Sequence, residues 1–134
     1  MARKSTVYSS FVFLTNVIVA YIYQYYLYSA LFGALFVTSI VVHVNEPNIY
    51  TNMLDKLVVS AVVLYGGYVF FGEYVDLCWT AVIVIATFLA TIFLYVYGFC
   101  HNKYCFAEDV DIGNAYHSLL HLIASFGHHL IVLC

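Results

Sequence analysis

From Ser5 to Asn45 the chain carries no Asp, Glu, Lys or Arg. As one helix rising about 1.5 Å per residue, this stretch would reach roughly 60 Å, twice a bilayer core of about 30 Å. It therefore folds as two spans. Gln24-Tyr25-Tyr26 is the polar interruption near its middle, which places span one at about 7–23 and span two at about 27–44. Asn45–Asn52 follows, with the single proline, Pro47, among Asn and Thr, and this is turn chemistry. Span three is predicted at about 52–71, with Asp55-Lys56 in its first turn, and Gly72–Asp76 as a short polar turn after it. Span four covers about 77–99. His101–Gly113 is a second loop, in which Glu108, Asp109 and Asp111 read as solvated. Span five covers about 114–133. The charge-free runs are far longer than the 9–11 residues of a barrel strand, so the expected fold class is an all-α integral membrane protein, a single bundle of five transmembrane helices.

Composition supports this reading. Of 134 residues, 65% are hydrophobic and 8% charged, against roughly 25% charged in a soluble domain. Net charge is −3 and there are four basic residues, which leaves no basic patch for nucleic acid. Those four still orient the chain. Arg3 and Lys4 precede span one, Lys56 lies by the connection between spans two and three, and Lys103 lies between spans four and five. With five spans all fall on one side, and the positive-inside rule makes that side, and the N-terminus, cytoplasmic. Met1-Ala2-Arg3-Lys4 and the apolar run behind it read as an uncleaved signal anchor.

The last span reads YHSLLHLIASFGHHLIVL and holds four of the six histidines: His117, His121, His128 and His129. Ionisable side chains inside a membrane helix mark function by default. His117 and His121 are one turn apart on one helix face. His43 ends span two, Asp55 begins span three, and His117 and His121 begin span five. Because spans alternate direction, all lie at one membrane face. Ser39 sits one turn deeper than His43 on the same side of its helix. Three histidines with an open position form a common catalytic zinc shell, and a nearby carboxylate and hydroxyl can orient and deprotonate a bound water. Simpler readings stand beside this one: an interfacial histidine, an Asp favouring a helix N-terminus, a packing serine. His128 and His129 read either as a buried polar pair or as a second functional layer. Cys100 and Cys105, flanking His101, could form half a zinc site or a short disulfide loop; scattered thiols are the favoured reading, because no second Cys pair completes a zinc set.

At these residues the chain resembles the CREST superfamily of membrane hydrolases, which includes the alkaline ceramidases and the progestin and adiponectin Q receptors. The motif elements are Ser39-Ile40-Val41-Val42-His43, then Leu54-Asp55, then His117-Ser118-Leu119-Leu120-His121. The glycine at Gly127 gives the ending its likeness to the ceramidases. The family typically has seven spans and this chain five, which keeps the parity of the motif-bearing spans. Leu120 stands where ceramidases often carry Trp. The resemblance implies that His43, His117 and His121 bind Zn2+, that Ser39 and Asp55 contact the zinc-bound water, and that the protein resides in the endoplasmic reticulum or Golgi. It implies a ceramidase-like hydrolase that takes a lipid amide or ester from the bilayer.

Two other function classes stay open: a small His/Asp-lined channel or proton conductor, and a haem protein with histidines from two spans as axial ligands. Gly66-Gly67 permits close helix approach, which suggests a homo-oligomer, a dimer. The parity of the spans has a direct check. With Cys78, Cys100 and Cys105 replaced by serine, a cysteine introduced at Ser5 and the native Cys134 should be labelled from opposite sides of the membrane. Labelling from one side would mean an even number of spans.

Overall fold

The computed structural model describes residues 4–45, 48–73 and 79–133, and they form helices and turns with no strand. In chain order the helices are α1 (Lys4–Ser10), α2 (Val12–Ile22), α3 (Tyr26–Val44), α4 (Ile49–Glu73), α5 (Trp79–Ile92), a π-helical segment (Phe93–Tyr97), α6 (Gly98–His101), a 3-10 turn (Tyr104–Phe106) and α7 (Val110–Leu133). Lys4–Ile22, Tyr26–Val44, Ile49–Gly72 and Trp79–Phe106 are long and apolar enough to cross a membrane. The fifth, α7, has the length, with 24 residues, but falls outside that set. Its four histidines, with Asp111, Asn114, Ser118 and Ser125, lower its hydropathy.

The predicted break at Gln24 is present. The chain turns over Tyr23–Tyr25, with Gln24 in the left-handed region at φ 66°. A second break, at Phe11, splits the first span. Ser9 Oγ and Ser10 Oγ both donate to the Thr6 carbonyl, at 3.0 and 2.7 Å, and such back-bonding bends helices. The helix is interrupted one residue later.

Two polar side chains start helices earlier than the hydropathy pattern predicts. Asn48 Oδ1 accepts the Tyr50 N–H at 2.8 Å, so α4 begins three residues ahead of the predicted span. Asp109 Oδ1 accepts from the N–H groups of Asp111 and Ile112, so α7 begins four residues early. Both are capping interactions of the kind short polar side chains provide. As a result Asp55 is in the second turn of α4, not the first as expected, and Asp109 caps a helix where a solvated loop is predicted. Gly72 and Glu73 continue α4. Tyr74–Asp76, Leu77 and Cys78 of the predicted fourth-span entry, Glu46-Pro47, Arg3 and Cys134 lie outside the described residues.

α7 is the hub. It packs against α1, α2, α5 and, more lightly, α4, while α3 packs against α1, α2 and α4. The interior is polar as well as apolar: Thr6, Ser10, Asn16, Ser29, Ser39, Asp55, His121 and Ser125 are buried alongside Phe13, Tyr28, Phe32 and Val62. The exterior is apolar, with Trp79 85%, Phe71 78% and Leu64 74% exposed. Water would penalise that surface and lipid would not.

Gly66 serves the inside of the bundle. A Cβ there would lie 2.8 Å from His128 Cε1 and 2.9 Å from Tyr28 Oη, whereas Gly67 faces open space. The sequence pattern assigns both glycines to a contact between copies, and only Gly67 is open for that. Gly66→Ala should cost about 1–3 kcal/mol through overpacking. Gly67→Ala should be neutral or stabilising, since alanine is the better helix former. Thermal unfolding of the two variants in mild detergent separates the cases.

Candidate metal centre

His43, near the end of α3, and His117 and His121, one turn apart in the first half of α7, meet inside the bundle. A ligating nitrogen from each lies within 4.8 Å of the others. Their rings touch pairwise, with centroids 4.8 Å apart for His43 and His117, 4.8 Å for His117 and His121, and 5.4 Å for His43 and His121. His121 is 5% exposed and packs against the Phe13 ring at 5.1 Å. Zinc holds imidazole nitrogens at about 2.0–2.1 Å in a tetrahedron, which places ligand atoms roughly 3.4 Å apart. The three nitrogens are therefore gathered to within ring-rotation distance of a coordination shell, and three imidazoles with one position left over suit zinc chemically.

The other two predicted site residues are held in hydrogen-bond networks of their own. Ser39 is 2% exposed, and its Oγ is 2.7 Å from Ser10 Oγ. Asp55 is 6% exposed. Its Oδ1 accepts from Thr38 Oγ1 at 2.9 Å, and its Oδ2 is 3.3 Å from Lys56 Nζ. Asp55 thus has partners on both α3 and α4, and it lies in the second turn of α4 rather than at its N-terminus. Lys56 Nζ stands 5.1 Å from the centre of the Tyr95 ring. Cys100 and Cys105 are both free thiols.

Three partners of the site went unread in the sequence: Ser9, whose Oγ is 2.8 Å from His121 Nδ1, Ser10 on Ser39, and Thr38 on Asp55. A signal was there. Thr6, Ser9, Ser10, Phe13, Asn16 and Ala20 follow helical spacing, so the polar positions of the first span share one face.

The lower half of α7 carries a second polar layer, resolved into pairs. Ser125 Oγ donates to Asn16 Oδ1 at 2.5 Å, and Asn16 Nδ2 donates to the Ser125 carbonyl at 3.1 Å. Tyr28 Oη bonds to His128 Nδ1. Thr15 Oγ1 is 2.8 Å from His129 Nε2. Comparison of the chain with models of protein families, with curated proteins and with solved structures finds no match.

These pairs differ in depth and therefore in worth. Asn16→Leu removes a buried double contact, leaves Ser125 unpartnered and should lower stability by about 1–2 kcal/mol. Thr15→Val acts at an exposed position and should cost less than half of that. Unfolding in mixed detergent micelles measures both.

Proposed function

We propose that this chain is a zinc-dependent intramembrane hydrolase of a lipid amide or ester, built as five membrane spans with its N-terminus cytoplasmic. The observation that carries the reading is the meeting of His43, His117 and His121 from two helices, in a bundle whose exterior is apolar. The likeness of the Ser39–His43, Asp55 and His117–His121 motifs to the CREST hydrolases supports it. A zinc ion held by the three histidines would lower the pKa of its water toward about 7 and polarise the substrate carbonyl.

The chain's own residues supply the remainder. Asp55, anchored by Thr38, is the carboxylate that takes the proton of the attacking water and returns it to the leaving group. Ser39 supplies a hydroxyl one helical turn from His43. Phe13 packs against the His121 ring and shields that side of it from water. An acyl chain has apolar helix surface to lie against, so the substrate enters from the bilayer. A dimer is part of the proposal, with Gly67 as the open position on α4.

The polar line along α7, from His117 to His129, favours a second reading as a proton conductor. Flux in liposomes without metal is its measurement, and flux abolished by His128→Ala would support it.

The hydrolase reading is tested by elemental analysis and turnover together. The purified protein should carry one zinc per chain. His43→Ala, His117→Ala and His121→Ala should each lose the metal and some stability, because binding energy is part of folding energy. His128→Ala should keep it. Asp55→Asn should keep the metal and lose turnover of a long-chain N-acyl amide or ester by about 100-fold or more, the scale of general-base catalysis. Stoichiometric zinc in all three alanine variants would put the site elsewhere.

A further inference from the structure

We infer that Ser9 and Ser10 of α1 fix the protonation geometry beside the three-histidine centre: Ser9 holds His121 with its proton on Nδ1, which leaves Nε2 as the nitrogen with a lone pair to give a metal, and Ser10 accepts the hydrogen bond of Ser39, so that Ser39 is left to accept from other partners. The inference rests on the metal reading proposed above and names residues outside the motif that supports it.

A serine hydroxyl has one proton to donate and lone pairs with which to accept. Ser9 Oγ has two partners, the Thr6 carbonyl at 3.0 Å and His121 Nδ1 at 2.8 Å. Ser9 donates its one proton to the Thr6 carbonyl, and with that proton engaged it accepts from His121. That requires Nδ1–H and leaves the Nε2 lone pair free. Ser10 Oγ repeats the pattern, with the same Thr6 carbonyl at 2.7 Å and Ser39 Oγ at 2.7 Å. Its proton goes to Thr6, so Ser39 donates to Ser10. Thr6, Ser10 and Ser39 are 1%, 0% and 2% exposed, which leaves little room for water to replace a lost partner, and an unmade buried hydrogen bond costs more than a made one returns. The reversed assignment would leave the Ser9–Thr6 contact unmade and would put the His121 proton on Nε2, leaving that ring no free lone pair for a cation.

Two roles follow. Ser9 is a positioning residue that acts through His121, and partners of this kind typically hold 10–100-fold of metal affinity. Ser39 can receive a hydrogen bond from the attacking water and so turn a lone pair toward the carbonyl. It cannot donate to the oxyanion while Ser10 holds its proton.

The experiment combines tautomer and affinity measurements on the full chain in lipid nanodiscs. In metal-free wild-type protein labelled with 15N-histidine, the His121 signals, assigned by their loss in His121→Gln, should show protonated Nδ1 and bare Nε2. In Ser9→Ala the proton should move toward Nε2. Zinc affinity, read by chelator competition, should fall about 10–100-fold in Ser9→Ala and return in Ser9→Thr, which keeps the hydroxyl. Ser10→Ala should leave zinc affinity unchanged and alter turnover alone. A bare Nδ1 at His121 in the metal-free wild type overturns the inference, as does a folded Ser9→Ala that binds zinc within twofold of wild type. A wild-type chain that binds no zinc overturns the hydrolase reading, and the tautomer of the metal-free protein still decides the Ser9 assignment.

Discussion

α7 carries its polar face into the middle of an apolar bundle, and each turn of that face has to find a partner there. Lipid and packed side chains offer no substitute for water, so an unpartnered imidazole or hydroxyl at that depth is expensive. The bundle is arranged to meet this demand. α1 gives Ser9 to His121, α2 gives Asn16 to Ser125 and Thr15 to His129, and α3 gives Tyr28 to His128. In the proposed membrane setting the hydrophobic effect would supply little net attraction between helices, and packing with interhelical hydrogen bonds would take its place. The polar face of α7 is thus both the costliest feature of the sequence and the reason the helices hold a single arrangement.

That arrangement explains three local features. Gly66 is where α4 comes up against the Tyr28–His128 pair, and a side chain there would separate them. Gly127 plays the same part between α7 and α5, since a Cβ would fall on Thr87 Oγ1. The break at Phe11 separates α1 from α2, so that Ser9 and Ser10 serve the three-histidine level while Thr15 and Asn16 serve the lower one.

Much of the site was legible in the sequence because it depends on helical spacing and on alternation of spans. His117 and His121 share a face whatever surrounds them, and His43 reaches their level once the turns at Gln24 and beyond Asn45 are recognised. Relations between helices were not legible. Which serine of the first span meets His121, or which threonine meets Asp55, depends on the rotation of each helix about its own axis. Spans that are apolar on nearly every side leave that rotation almost free. The helix starts at Asn48 and Asp109 were missed for a different reason. Hydropathy alone placed the span ends, although both residues are capping types standing just ahead of apolar runs.

The two levels of α7 differ in the way they satisfy their histidines, and this separates the roles of those histidines. His128 and His129 are each bonded at one ring nitrogen to a hydroxyl, those of Tyr28 and Thr15, and neither is part of the three-histidine group. His43, His117 and His121 face one another. Three imidazoles in mutual contact are like groups, and packing their edges against their faces satisfies ring quadrupoles but does not by itself engage every nitrogen lone pair. One imidazole can donate to another only if it is protonated at the right nitrogen, and with Nδ1 of His121 engaged by Ser9, its remaining nitrogen is an acceptor. A cation that takes several lone pairs at once suits all three rings together. On this argument the lower layer holds the helices together, and the upper layer is the part of the polar face that gathers like donors around a shared space.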